Sequence, residues 1–391
     1  MKPVFTEGEA GLRDEIRQFI SSEKRMSRES GLSSEAFISQ LYAKIAKKRW
    51  LGMFVPKEYG GAGRSLIDWA IFMEELAYSG APEVLRTGVD MVSLIGSGLI
   101  LPYGSHELKK KFLPGMSTGE IKVSIGSTEP DTGVDVNIFK TRAIDKGDCF
   151  VVNGVKVYNE AHRSDYICLI LQTAAEAPLE KKVSVLMVDL SSPGISIRPL
   201  WMMWGLRRDE VVFENVKVPK ENLVGQKNEG WGMVTDSFAA EWGTLANVGL
   251  LLRDLERFKE LLRDTRYGGK AIIDLASVRH ILVELALELE IGRLLYYRTW
   301  WLRDTGRPNS VAAAMSKIHT TELWLRLYGR MTELAGQYGQ LEGSEAARRW
   351  PIARLGLPGS YEFSPSLTIG GWPTEQQRDH IAQVGLGLPR G

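Results

Sequence analysis

Cys149-Phe150-Val151-Val152-Asn153-Gly154-Val155-Lys156-Val157-Tyr158 opens the part of the chain whose reading decides the fold. Two short runs of β-branched and aromatic residues flank an Asn-Gly pair, the pattern of a strand, a tight turn and a second strand. Further runs follow at Ile167 to Leu171, Val183 to Leu190, Ile195 to Ile197 and Val211 to Val218. Short strands separated by polar turns predict a compact β domain, a barrel or sandwich, over 121–228. On either side the apolar period lengthens to that of a helix. Leu12, Ile16, Phe19 and Ile20, then Ile67, Ala70, Ile71, Met73 and Leu76, predict an all-helical domain over 1–120, broken by the glycine-rich turn Tyr59 to Gly63. Val278, Ile281, Leu282, Leu285 and Leu289 predict long helices over 229–391, with Asp274 as a cap and Gly306-Arg307-Pro308-Asn309 as a stop. The fold class is therefore α+β, with three domains in the order helices, β, helices.

The size and composition agree with that division. A chain of 391 residues exceeds what one core usually fills, and 44% hydrophobic with 25% charged residues excludes a disordered or fibrous protein. Forty-nine basic against 48 acidic residues leave no global field to draw the protein onto nucleic acid or an anionic membrane. Cys149 and Cys168 both lie in strand-like runs, which predicts buried thiols in a reducing compartment and no disulfide framework. Neither a signal-peptide core nor an apolar run of about 18 residues occurs, so a soluble cytoplasmic protein is expected. The five histidines show no ligand or triad spacing, which predicts no metal site, and neither Gly-x-Ser-x-Gly nor a P-loop is present.

Function enters through a series of ordered segments. Trp50-Leu51-Gly52 and Pro56-Lys57-Glu58-Tyr59-Gly60-Gly61 are followed by Glu74-Glu75-Leu76, then Phe112-Leu113-Pro114 and Gly119-Glu120. Ser127-Thr128-Glu129-Pro130-Asp131-Thr132-Gly133-Val134-Asp135 comes next, then Asn153-Gly154-Val155-Lys156, Val212 to Pro219 and Leu386-Gly387-Leu388-Pro389-Arg390. Across essentially its whole length the chain resembles the acyl-CoA dehydrogenase family. The resemblance implies that family's fold, with a C-terminal four-helix bundle, and FAD as cofactor.

A Thr-Glu-Pro turn followed by glycine presents backbone N–H groups and a hydroxyl to an electron-rich ring and a pyrophosphate. The resemblance assigns Ile125, Ser127 and Thr128 to the flavin ring and Gly133 and Val134 to the pyrophosphate, where the family's serine is Val134 here. The family's Lys-x-Trp segment along the flavin reads Lys156-Val157-Tyr158-Asn159-Glu160, which keeps an aromatic platform at Tyr158. Asn159 and Glu160 lie in the same segment. A carboxylate at Glu160 either stands near flavin N5 or O4, disfavouring negative charge on the reduced ring, or turns outward. Thr374 and Glu375 are further flavin candidates. Arg279, in Asp274-Leu275-Ala276-Ser277-Val278-Arg279, is either a contact to the FAD of a neighbouring subunit or a salt-bridged surface residue, and Gly336 resembles the family's loop across that interface.

Removing a proton α to a thioester needs a carboxylate in a dry cavity, where desolvation raises its pKa. Many family members place that glutamate near the C-terminus; alignment on Glu375-Gln376-Gln377-Arg378 puts Gly371 at its position, and Glu362 lies nine residues too early. One branch carries the base on the first long helix of the C-terminal domain in a G-W-x(9)-E-R pattern. Gly230-Trp231 followed by Glu241-Trp242 matches that spacing, so Glu241 is the candidate base, with Trp242 in place of the arginine. The resemblance then implies that the backbone N–H of Gly371 and a ribityl hydroxyl polarise the thioester oxygen. Glu241 takes the α-proton, the β-hydride passes to flavin N5, and electrons leave to an electron-transferring flavoprotein. A bulky, branched or cyclic acyl-CoA is expected from the space at Gly371 and the aromatics Trp201, Trp204 and Trp372, and a homotetramer or homodimer from the shared FAD site. Rival readings are a flavin monooxygenase on the same fold, a non-catalytic subunit of a heteromeric dehydrogenase, and a carrier-protein thioester as substrate.

Overall fold

The structure is a computed structural model that describes residues 5–30, 33–133 and 138–389, the side chains of 28, 34 and 84 excepted. Two compact units emerge from the packing, and they do not follow the thirds of the sequence. One comprises the chain up to Arg25, Ala70–Ala81 and everything from Trp242 onward, and the other comprises Met26–Trp69 and Pro82–Glu241.

The N-terminal helices are α1 (Glu7–Glu29), α2 (Ser34–Lys47), α3 (Leu66–Tyr78) and α4 (Glu83–Met91). The last runs on as a π-helix over Val92–Ile100 and a final turn, α5 (Leu101–Tyr103), before α6 (His106–Thr118). Ser33 and Ser105 cap α2 and α6 by accepting from the N–H groups of Ala36 and Leu108. Of the expected stripe Leu12, Ile16, Phe19 and Ile20, Leu12, Ile16 and Ile20 are buried and Phe19 is partly exposed.

The β region is one eight-stranded sheet formed by β1 (Val123–Gly126), β2 (Arg142–Asp145), β3 (Cys149–Asn159), β4 (Tyr166–Gln172), β5 (Val183–Asp189), β6 (Ile195–Trp201), β7 (Arg207–Pro219) and β8 (Leu223–Val224). Its order is β6-β7-β3-β2-β4-β5-β8, with β1 added parallel to β4. Phe150, Val152, Ile167, Leu169, Leu171, Leu186, Val188, Val211, Phe213 and Val218 form its core. The Asn153-Gly154 pair corrects the sequence reading, because it does not turn the chain but lies inside β3, where the pairing with β7 shifts register between Val152 and Gly154. A Cβ at Gly154, whose φ is 147°, would lie 2.4 Å from Thr141 Oγ1, so the glycine serves a β-bulge pressed against the segment that leads into β2. Cys168 is fully buried, whereas Cys149 is partly exposed at the start of β3, which corrects its expected burial.

Beyond the sheet come α7 (Gly230–Leu245), α8 (Gly249–Asp264), α9 (Ala276–Asp304), α10 (Ser310–Ala335), α11 (Gly343–Arg349), α12 (Leu357–Ile369) and α13 (Thr374–His380). Val278, Leu282, Leu285 and Leu289 of α9 pack with Leu255 and Phe258 of α8 and Leu323, Leu327 and Met331 of α10. Asp274 is not the cap of α9: it closes a short 3-10 turn, and Leu275 stands at the cap with no side-chain hydrogen bond. Glu74 is the ionic hub of this unit. It accepts from Arg13 (2.6 Å), Arg293 (2.6 Å) and Tyr297 (2.5 Å), and these partners hold its carboxylate below the usual range against the opposing effect of burial.

Among the described residues no helix is long and apolar enough to cross a membrane. No cluster of three or more metal-ligating side chains occurs among them either.

Candidate active site

In the unit that holds the sheet, β1 runs into the Ser127-Thr128-Glu129-Pro130 turn. Val123, Ser124 and Gly126 of β1 are buried, whereas Ile125, Ser127 and Thr128 are partly exposed. A buried ion pair fixes the turn from behind. Lys156 Nζ donates to Glu129 Oε1 and to the Ser127 carbonyl, both at 2.8 Å, and Glu129 also accepts the backbone N–H groups of Lys140 (2.7 Å) and Thr141 (3.1 Å). Burial lowers Lys156 to about 8, with Glu129 opposing that fall, while Lys156 and the N–H donors keep Glu129 below its ordinary value. Gly133 follows with φ 51° and open space where a Cβ would stand. Val134 lies outside the described residues.

The end of β3 presents the next group. A second register shift, between Val157 and Asn159, gives Tyr158 a φ of 64° and leaves its ring 60% exposed. Asn159 is buried and bonds the backbone of Lys156 and Ala161. Glu160 is paired: Arg208 Nη1 donates to its Oε1 at 2.5 Å, and Arg208 Nη2 donates to Glu83 at 2.9 Å. Burial raises the Glu160 carboxyl, and Arg208 opposes that rise. Beside it Asp209, fully buried, takes the His162 ring at 2.6 Å and Arg207 at 2.8 Å, which ties the turn after β3 to β7. Glu241 is partly buried on α7. Asp90 of α4 feels Arg86, Glu160 and Glu241, and burial, the main effect, pushes it up to about 7.

The other unit, taken by itself, holds a loop tightly. Gly371 and Trp372 both have positive φ, at 62° and 72°. The Trp242 indole N–H donates to the Gly371 carbonyl at 2.5 Å, and Gln377 Nε2 donates to the carbonyls of Gly371 (3.1 Å) and Trp372 (3.2 Å). Lys317, fully buried in α10, donates to the carbonyls of Trp372 (2.7 Å) and Thr368 (3.3 Å). Trp242 also packs against Trp372 and against His380, whose pKa burial lowers. Trp242 is therefore a backbone clamp in its own right, and the indole N–H gives a positive account of this departure from the arginine pattern.

Thr374 is buried at the start of α13 and Glu375 is exposed beside it. Arg279 is exposed on α9 with no side-chain partner among the described residues. Gly336 ends α10 with φ 57° and lines an open depression of about 350 Å³ with Gly329, Thr332, Glu333, Gln340 and Tyr361. Trp201 is 70% exposed at the end of β6, not core.

Sequence reading missed Asp90, Arg208, Lys317 and Gln377. Asp90 and Lys317 each carried a signal, a lone charge in an otherwise apolar helical run (Val89 to Ile95, Ala312 to Ile318).

Three family models match in order: the acyl-CoA dehydrogenase N-terminal domain over 6–120, the middle domain over 124–216 and the C-terminal domain over 228–386. The chain belongs to the acyl-CoA dehydrogenase family. It is 32% identical to acyl-CoA dehydrogenase FadE26 of Mycobacterium tuberculosis, over 100% of this chain and 99% of that protein. Its structure is similar to that of the ChsE4-ChsE5 complex from Mycobacterium tuberculosis, with a TM-score of 0.87 and 31% identity over 100% of both chains. It is also similar to the steroid acyl-CoA dehydrogenase Tcur3481-Tcur3483, with a TM-score of 0.86 and 28% identity over 100% of both chains. Acyl-CoA dehydrogenases are FAD-dependent oxidoreductases, and the chain is an enzyme of that kind.

Proposed function

We propose that this acyl-CoA dehydrogenase uses Glu241 as its base and acts on a bulky, branched or cyclic acyl-CoA. The observation that carries the choice of base is the state of Gly371, which has no side chain and whose carbonyl is held by two donors, Trp242 and Gln377. It offers a backbone N–H and no carboxylate, so the proton must go elsewhere. Glu241 is a partly buried carboxylate on α7, at the spacing from Gly230-Trp231 that the family's alternative base position has.

The Ser127-Thr128 edge, the open space at Gly133 and the exposed Tyr158 ring fit a large planar cofactor that carries phosphates. On this reading Ile125, Ser127, Thr128 and Tyr158 hold the flavin, Gly133 and Val134 the pyrophosphate, and Thr374, Glu375, Arg279 and Gly336 further parts of a bound FAD. Bound FAD supplies the acceptor for the β-hydride. Glu241 removes the α-proton, and the Gly371 N–H donates to the thioester oxygen as charge develops on it. The β-hydrogen departs as hydride with the electron pair of its C–H bond, the electron pair left by the α-proton forms the Cα–Cβ double bond, and the product is a 2,3-enoyl thioester. Electrons then pass to an electron-transferring flavoprotein.

The bulk of the acyl group is supported by the likeness to a steroid acyl-CoA dehydrogenase. Two relatives are described by paired names, ChsE4-ChsE5 and Tcur3481-Tcur3483, which favours assembly with a second chain over the homotetramer or homodimer expected from sequence.

An anaerobic titration with straight, branched, alicyclic and steroid-like acyl-CoAs tests the reading through the oxidised flavin band. Bleaching by bulky members is expected; bleaching by straight chains alone would overturn the size assignment, and bleaching by none would overturn the reaction. Trp242→Phe tests the clamp. Loss of the indole N–H is expected to lower kcat roughly tenfold with KM little changed, because the Gly371 N–H then loses its aim. An unchanged kcat would make Trp242 core packing only.

A further inference from the structure

We propose that Lys317 is a positioning residue of the thioester site: its buried ammonium ties together the two ends of the segment 368–372 and thereby aims the Gly371 N–H at the thioester oxygen. This rests on the reading of that N–H as the oxygen's donor. The segment leads from the last turn of α12 to α13, and one side chain of α10 grips it twice. Lys317 Nζ donates to the Thr368 carbonyl at 3.3 Å and to the Trp372 carbonyl at 2.7 Å, with Gly371 between them. Lys317 is fully buried, and α10 packs on both α12 and α13, so the grip starts from a fixed point. An ammonium carries three donors on a compact head, which lets one group serve two carbonyls at once.

Other bonds converge on the same segment. The Gly370 N–H donates to the Ser366 carbonyl at 2.8 Å, where α12 ends. The Gly371 carbonyl receives the Trp242 indole and the Gln377 amide, and Gln377 also reaches the Trp372 carbonyl. Backbone groups on both sides of the Gly370-Gly371 peptide are therefore tied. The Gly371 N–H itself has no acceptor among the described residues. A donor left open between anchored neighbours is held ready for an oxygen that arrives with a ligand.

The backbone at Trp372 is a second, independent sign. Its φ of 72° is one that a bulky residue keeps only when its surroundings impose it, and such strain gathers where geometry serves a reaction. Lys317 and Gln377 impose it through the Trp372 carbonyl, and the Trp372 ring packs against Trp242 with centroids 5.7 Å apart. Without the ammonium the Thr368 carbonyl is released and the Trp372 carbonyl keeps only Gln377 of these two donors. Trp372 can then relax towards negative φ and turn the adjoining Gly371 peptide with it. The loss falls on the transition state, because the bond to the thioester oxygen tightens as charge builds there, whereas the rest of the acyl-CoA binds as before.

The test uses the full chain with FAD bound and 4-dimethylaminocinnamoyl-CoA, an enoyl thioester already unsaturated at its α,β bond. Its push-pull absorption moves to longer wavelength as the thioester carbonyl is polarised. The parent should shift that band to the red on binding. Lys317→Met should lose most of the shift and reduce its flavin with a bulky acyl-CoA about tenfold to a hundredfold more slowly, with the acyl-CoA dissociation constant within about threefold of the parent. Lys317→Arg, which keeps donors and charge, should recover part of both. FAD content and melting temperature report the fold, and Lys317→Gln, which keeps a neutral donor, replaces Lys317→Met if that variant does not retain FAD. A full red shift in the variant overturns the proposal, as does a loss seen only as weaker binding; a merely structural lysine would lower the melting temperature and leave the bound probe's band in place. If the parent itself does not shift the probe, the reading of the Gly371 N–H fails and the inference falls with it, whereas a shift that survives the loss of Lys317 defeats only the inference.

Discussion

Glu241→Gln is expected to slow flavin reduction by an acyl-CoA about a thousandfold or more, with FAD still bound and the acyl-CoA dissociation constant within a few-fold of the parent. Glutamine keeps the size and hydrogen-bonding reach of the side chain but cannot accept the α-proton. On the proposed reading Gly371 stands at the other position the family uses for a base and brings no carboxylate, so no second base is ready to take over. Glu362→Gln is the control and should be near neutral. Rapid-mixing measurements under anaerobic conditions separate the chemical step from binding, and a residual rate within tenfold of the parent would remove Glu241 from its role.

The second large effect concerns the ion pair beneath the Thr128-Glu129-Pro130 turn. Glu129→Ala leaves the Lys156 ammonium fully buried without its carboxylate, and breaking a buried pair from one side costs about 3–5 kcal/mol. Thermal unfolding should shift down by several degrees, and FAD content should fall with it, since the same bonds hold the Ser127 carbonyl and the Lys140 and Thr141 N–H groups in place. Lys156→Met should be milder, because Glu129 keeps its two backbone donors. The double variant Glu129→Leu with Lys156→Met should recover part of the stability lost in Glu129→Ala, since no uncompensated charge then remains. If all three variants melt together with the parent, the pair is not what holds the turn.

Much of the chain was legible before any coordinates. The helix, sheet, helix order followed from apolar periods of 3.6 and 2, and the stripe from Val278 to Leu289 is buried as its spacing requires. The errors share a cause. Asn153-Gly154 has the composition of a hairpin turn, but the strand continues because both halves of β3 pair with β7 and the glycine is needed for close approach to Thr141. Asp274 has the chemistry of a cap, but the preceding turn places Leu275 at that position.

What the sequence by itself determined is the set of elements, the family and a short list of candidate groups: Glu241, Gly371 and the Ser127-Thr128 turn. Local propensity and ordered motifs carry that information, since both are properties of neighbours along the chain. Only the tertiary structure decided how those groups are held. It turned Trp242 from a departure into a donor to the Gly371 carbonyl, paired Glu160 with Arg208 and left Asp90 Oδ1 buried without a partner. Those facts join residues 48 to 129 positions apart, or depend on what burial removes from water, and the one-dimensional order of side chains specifies neither before the chain is packed.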